Sequence, residues 1–189
     1  MNLNNRQLIP MQHLLSEHAF TRVEETLTTV HVPKDTLLIQ DSKVEINAYI
    51  IQQGIARAYI DTPEKEITFW FAREGNIINS GNGYATHEKG YENFHMLEDA
   101  VLLKIDMKAM RELYYSDLEI CNWSRIITET EAMASQKKHL DYILLSPEER
   151  YLKLVKEDPE LLHRVPLKDI ATYLGISAVS LSRIRGRIK

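Results

Sequence analysis

The chain has 189 residues, 44% apolar and 26% charged, which is ordinary for a soluble globular protein whose core needs no staples. Its one cysteine, Cys121, excludes an intrachain disulfide and cannot by itself hold a zinc or iron–sulfur centre. The start, Met1-Asn2-Leu3-Asn4-Asn5, has no basic and then apolar stretch of a secretory signal, and no apolar run nears the ~20 residues of a membrane span, so a cytoplasmic protein is expected with no membrane partner.

In chain order, about Leu8 to Val30 reads as helical. Leu14, Leu15, Phe20, Val23 and Leu27 recur near a 3.6-residue period. From His31 the pattern changes to short β-rich runs: Thr36–Gln40, Ala48–Ile51, Ile55–Ile60, Glu66–Phe71, Asn93–Leu97 and Val101–Ile105. Turn residues separate them at Pro33-Lys34-Asp35, Asp41-Ser42, Gly54, Asp61-Thr62-Pro63 and Gly75-Asn76, and Gly81-Asn82-Gly83 marks a loop. Many short strands at near-regular spacing predict a sandwich or jelly-roll barrel. Phe69, Trp70 and Phe71 are expected in its core rather than in a ligand box.

Met107 to Leu145 is helical and long. Trp123, Ile126, Thr130, Met133, Lys137, Leu140 and Leu144 alternate three and four apart, a heptad-like stripe that Thr130 and Lys137 interrupt. It suits a helix that pairs with a second copy; the plainer alternative is a helix packed on its own barrel. Ser146-Pro147-Glu148-Glu149 then reads as a capping box with proline in the first turn, starting a helix that ends near Asp158-Pro159.

Net charge is −4, but its distribution is uneven. Pro147–Lys189 holds nine Lys/Arg and six Asp/Glu, net +3, which leaves −7 for the rest. A positive end can attract DNA while an acidic body discourages unspecific adhesion.

The informative stretch is Leu167 to Ile188. A first helix packed closely on a second needs a small residue at the crossing, and Ala171 is there. Four residues on, a sharp turn needs a residue tolerant of positive φ, and Gly175 is there. Ile170, Leu174, Ile176, Leu181 and Ile184 have the phases of a shared core, and Ser177 can cap the second helix. This is a helix-turn-helix pattern. Its candidate DNA-binding residues are Ser177, Ala178, Ser180, Ser182, Arg183, Arg185, Arg187 and Lys189. Arg183 is placed for a bidentate contact to guanine, and Arg187 and Lys189 for phosphate.

Taken together, these segments resemble the Crp/Fnr family of bacterial transcription factors, most closely the short members found in Bacteroidetes. The resemblance rests on Val32–Leu38, Tyr49–Tyr59, Lys65–Asn76, Leu97–Ile105, Tyr173–Ser177 and Leu181–Arg185. It implies an α+β chain: a cyclic-nucleotide-binding-like β jelly roll with an N-terminal helix over 1–110, a dimerisation helix over 111–145 and a helix-turn-helix domain over 146–189. It further implies double-stranded DNA and a second copy of the chain as partners, RNA polymerase as a candidate partner, an unknown small-molecule effector, and no catalytic activity.

The chain departs from the family pattern in several places. The stretch matching the phosphate-binding cassette runs Gly75-Asn76-Ile77-Ile78-Asn79-Ser80, and the later arginine position falls at Gly90-Tyr91-Glu92, with Lys89 the nearest cation. The ribose-binding Glu and phosphate-binding Arg are both missing, so cyclic AMP is not the expected effector. The four cysteines of iron–sulfur members are absent, the spacing of His31 and His95 supports no haem site, and no cofactor is expected. Ala178-Val179 stands where many relatives carry a base-reading acid, and with the sequence ending at Lys189 no wing is expected. Two rival readings are a sensor acting through protein partners and a cupin-like metal-binding barrel. The latter has only His87, Glu88 and His95 as candidate ligands, on a loop and one strand.

Overall fold

A computed structural model describes residues 8–188. A 3-10 turn at Gln12–Leu14 precedes helix α1 (Glu17–Glu24), whose N-terminus is capped by Ser16 accepting the Ala19 N–H. The helix ends earlier than the apolar period suggested. The run Thr26 to Val32 contains Thr28, Thr29, Val30 and Val32, β-branched residues that favour strand, and Leu27–Val32 forms β1 against the strand β8 (Ala100–Ile105).

Between them lie β2 (Leu37–Ile39), β3 (Ala48–Gln53), β4 (Ala56–Asp61), β5 (Glu66–Ala72), β6 (Ile77–Asn79) and β7 (Asn93–Met96). They make two four-stranded antiparallel sheets, ordered β1-β8-β3-β6 and β2-β7-β4-β5. Every β-rich run of the sequence became a strand; β1 and the three-residue β6 were not foreseen.

Strand β3 is buried on both faces, and the register explains its unbroken apolar run. Ala48 and Ile50, with Leu103 and Ile105 of β8, face the helices. Alternation turns Tyr49 and Ile51 the other way, beside Ile78 and Leu102. There burial and the neighbouring Glu45 carboxylate, which accepts the Tyr49 hydroxyl, raise the phenol's pKa well above its ordinary value.

Gly81–Thr86, expected as a loop, is a short helix, α2, capped by Ser80. Gly83 is required there by close approach, because a Cβ would lie 2.0 Å from the Glu45 carbonyl oxygen. The long helical stretch is two helices, α3 (Met107–Ser116) and α4 (Leu118–Leu144). Asp117 breaks it: its carboxylate accepts the Glu119 and Ile120 N–H groups that open α4, and it pairs with Arg22 at 2.5 Å. Only the first turns of α4 are buried. Ile120, Trp123 and Ile127 join Phe20, Val23, Met107 and Met110 in one core, with the Trp123 indole N–H donating to the Pro10 carbonyl. Trp123 therefore belongs to its own chain's core, not to an intermolecular stripe. Residues 128–140 are all exposed.

Helix α5 (Pro147–Glu157) starts on the expected capping box. Glu149 N–H donates to Ser146 Oγ at 3.3 Å, and the Glu149 carboxylate accepts from the Ser146 hydroxyl at 2.7 Å and the Ser146 N–H at 2.8 Å; these two bonds, the hydroxyl's first, hold the Glu149 carboxyl below its ordinary pKa. Then come α6 (Leu161–Arg164), α7 (Leu167–Tyr173) and α8 (Ala178–Ile188).

Contacts divide the chain into two compact units. One takes the residues up to Ala58 and Phe71–Glu131; the other takes Tyr59–Trp70 and everything from Ala132 onward. In the second unit, Trp70 lies under the Lys138 ammonium, 5.4 Å from the ring centre, and Thr68 Oγ1 is 2.6 Å from Thr172 Oγ1. Phe69 is 40% exposed, so of the three aromatic residues at 69–71 only Phe71 is the core residue expected.

Candidate nucleic-acid interface

The second unit builds its C-terminal helix pair from sequence-local rules. Ile170, Ala171 and Leu174 of the first helix and Leu181 and Ile184 of the second are buried against one another's elements, and Ile176 is half-buried between them. Helix α7 ends in a Schellman closure: Gly175 N–H donates to the Thr172 carbonyl at 3.1 Å, and Ile176 N–H to the Ala171 carbonyl at 3.0 Å. Gly175 sits at φ +74°, as its place in the pattern required. A second demand on it was invisible in the sequence. A Cβ there would lie 2.7 Å from the Tyr142 hydroxyl oxygen, so the tyrosine packs directly on the turn. Ser177 caps α8 by accepting the Ser180 N–H at 3.1 Å.

Phase then decides what α8 presents. With Leu181 and Ile184 inward, Val179, Ser182, Arg183 and Gly186, spaced i, i+3, i+4 and i+7, share the outward face. All are exposed, as are Ser177, Ala178, Arg185 and Arg187; Ser180 is half-buried. Arg185 and Arg187 flank that face on opposite sides. Arg187 is engaged within the chain by an ion pair to Glu148 at 3.0 Å, both side chains well exposed. Lys189 lies outside the described residues. No acid stands in the first turn of α8.

The candidate effector region lies in the first unit. Glu92 is 5% exposed; its Oε2 accepts the Tyr91 N–H at 3.1 Å, and its Oε1 has no hydrogen-bond partner. A buried acidic side chain thus stands at the position the resemblance assigns to a phosphate-binding arginine. Sequence reasoning missed Arg57 on β4, a buried guanidinium that already interacts within the protein. Its only signal was a cation between two alanines in a strand run. Lys89 lies in a loop, its carbonyl accepting from the Asn82 amide. His87 sits at the end of α2 beside Arg111, with Nε2 at 2.8 Å from a guanidinium nitrogen, and His95 lies 3.7 Å from Asp35. Among the described residues no group of three or more His, Cys, Asp or Glu is placed to hold a metal ion. No described helix is long and apolar enough to cross a membrane.

No protein-family model matches the sequence, and no curated protein matches it. Solved structures do. The global regulator CLP of Xanthomonas campestris, described as responsive to c-di-GMP, is similar over 92% of this chain and 91% of its own, with TM-score 0.71 and 12% identity. A Eubacterium rectale protein described as a transcriptional regulator of the Crp/Fnr family is similar over 94% and 85%, with TM-score 0.71 and 15% identity. A cyclic nucleotide-binding domain from Methylobacillus flagellatus is similar over 69% and 73%, with TM-score 0.62 and 16% identity. The chain has the fold of Crp/Fnr regulators: a cyclic-nucleotide-binding-type jelly roll with a long helix after it, and beyond these the helix pair described above.

Proposed function

We propose that this chain is a sequence-specific DNA-binding transcriptional regulator that acts as a homodimer in the cytoplasm and catalyses no reaction. In this reading the chain works as a sensor barrel over 1–110, a dimerisation helix over 111–145 and a DNA-binding domain over 146–189. The observation that carries the reading is the outward face of α8, with Arg183 at its middle, arginines on both flanks and a capped, glycine-closed turn holding it on α7.

The long helix supports the dimer. An isolated helix shorter than about 12–15 residues is marginal in water, and even a longer one draws most of its stability from a packed face. Here 128–140 is bare, yet Met133, Leu140, Ile143 and Leu144 are apolar. A second copy would cover them and set two recognition helices about 34 Å apart, one turn of DNA, favouring an inverted repeat. Genome-wide binding of the tagged protein tests DNA binding and finds the operator together; no enriched sequence would overturn the reading.

Arg183→Ala should cost roughly 1–3 kcal/mol per half-site and relax the preference at one base pair. Arg187→Ala should weaken all sequences alike and flatten the salt dependence. Shift assays across salt check both, and unaltered specific binding by Arg183→Ala would refute the assignment.

The barrel takes an effector other than cyclic AMP, or none. A cyclic phosphate buried near Glu92 would meet another anion, and an uncompensated buried charge costs several kcal/mol. Calorimetry with cyclic AMP and cyclic GMP at millimolar concentration should give no saturable heat. A micromolar dissociation constant would overturn this reading and mean that the stretch from Gly75 to Glu92 is not the counterpart of the phosphate-binding cassette.

A further inference from the structure

Arg150, in the first turn of α5, does something no motif announces. Its Nη1 donates to two carbonyls at the end of α4, Tyr142 at 2.8 Å and Leu145 at 2.7 Å. Its Nη2 donates to the Leu174 carbonyl at the end of α7, at 2.9 Å. The last carbonyls of a helix have no partner within it and carry the negative end of the helix dipole. One guanidinium therefore sits at the meeting point of two helix C-termini and satisfies both. Its plane also lies over the Tyr142 ring, 4.4 Å from the centre, and that same ring rests on Gly175 in the recognition turn. Lys153 ties α5 to α4 again by an ion pair with Asp141.

We infer that Arg150 is a positioning residue for DNA recognition: it clamps the end of α4 to the turn between α7 and α8, so the direction of the long helix sets the direction of the recognition helix. The segment Leu145-Ser146 is then a fixed corner rather than a free hinge. A lysine cannot replace it, because a single ammonium lacks the planar fork that reaches carbonyls on both helices. The inference rests on the DNA-binding reading for its function but not for its geometry.

Two measurements on the full chain separate these. Half-sites recovered by selection from a randomised duplex pool would be rebuilt as inverted repeats with the centre-to-centre spacing varied in single base pairs around about 10. Wild type should prefer one spacing sharply. Arg150→Gln and Arg150→Lys should both lose that preference, by roughly tenfold at the best spacing, while the selected half-site and the salt slope stay unchanged. An unchanged spacing preference overturns the inference. So does a salt slope reduced by about one, which would make Arg150 a phosphate contact. The second measurement needs no DNA. Spin labels at Gln136→Cys and Gly186→Cys, in a Cys121→Ser background and diluted into unlabelled chain, should give a narrow distance distribution that Arg150→Gln broadens. Equal widths overturn the clamp. Should Arg150→Gln fail to fold, Arg150→Lys, which keeps the charge but cannot hold carbonyls on both helices at once, should broaden the same distribution; an unchanged width would again overturn it. Failure of wild type to select any sequence would fall on the DNA-binding reading, while the label distances would still decide the clamp.

Discussion

Met133→Asp combined with Leu140→Asp is expected to turn the protein into single chains of 22.0 kDa in light scattering. Both side chains lie on the exposed part of α4, Met133 at 72% exposed and Leu140 at 50%, so a lone chain loses little packing at Met133 and only part of it at Leu140. In a paired helix the same substitutions would bury two carboxylates on each side of an apolar seam. Burial of an apolar side chain of this size is worth about 1.5–3 kcal/mol, and an unpaired charge in its place costs more. Operator binding should then fall roughly 10²–10⁴-fold, because each half-site must be held without the help of the other. The thermal transition of the barrel should stay where it is. An unchanged mass would remove α4 from the interface.

The second large effect is expected at Gly175. A residue with a Cβ at φ +74° costs about 1–2 kcal/mol for the backbone alone. Gly175→Ala also drives that Cβ against the Tyr142 hydroxyl, 2.7 Å away. Denaturant unfolding should therefore show a loss larger than the backbone cost. Made in a Tyr142→Ala background, the same substitution should cost the backbone part only. This double-mutant cycle isolates the contact between ring and turn. Additive losses would show that Tyr142 merely lies nearby.

How far the sequence led depends on how local each feature is. The helix-turn-helix could be read because its rules act within a few residues: a small residue at the crossing, a glycine four positions on, a serine cap. The capping box at Ser146 and Glu149 was readable for the same reason. The end of α1 was misread because Val23 and Leu27 keep a helical spacing across the boundary, while the β-branched run from Thr26 onward carried the stronger preference. The break at Asp117 was overlooked because an acid inside a helical pattern reads equally as surface. Helix α2 was hidden by its glycines, one of which is there only because the Glu45 backbone presses against it. Arg150 could not have been found at all. Its three partners are carbonyls, which every residue has, and only the fold brings two helix ends to one side chain.

The bare stretch of α4 has a mechanical consequence. From Ile127 to Leu144 the helix runs about 25 Å, so a tilt of about 5° at its root displaces its far end by about 2 Å. A bidentate contact to guanine tolerates a few tenths of an ångström. A helix of this kind is a lever: a small angular change at the Trp123 end grows to about 2 Å at the far end, more than the base contact proposed for Arg183 would tolerate. Whatever biases the barrel need not push far, only turn the root of the helix.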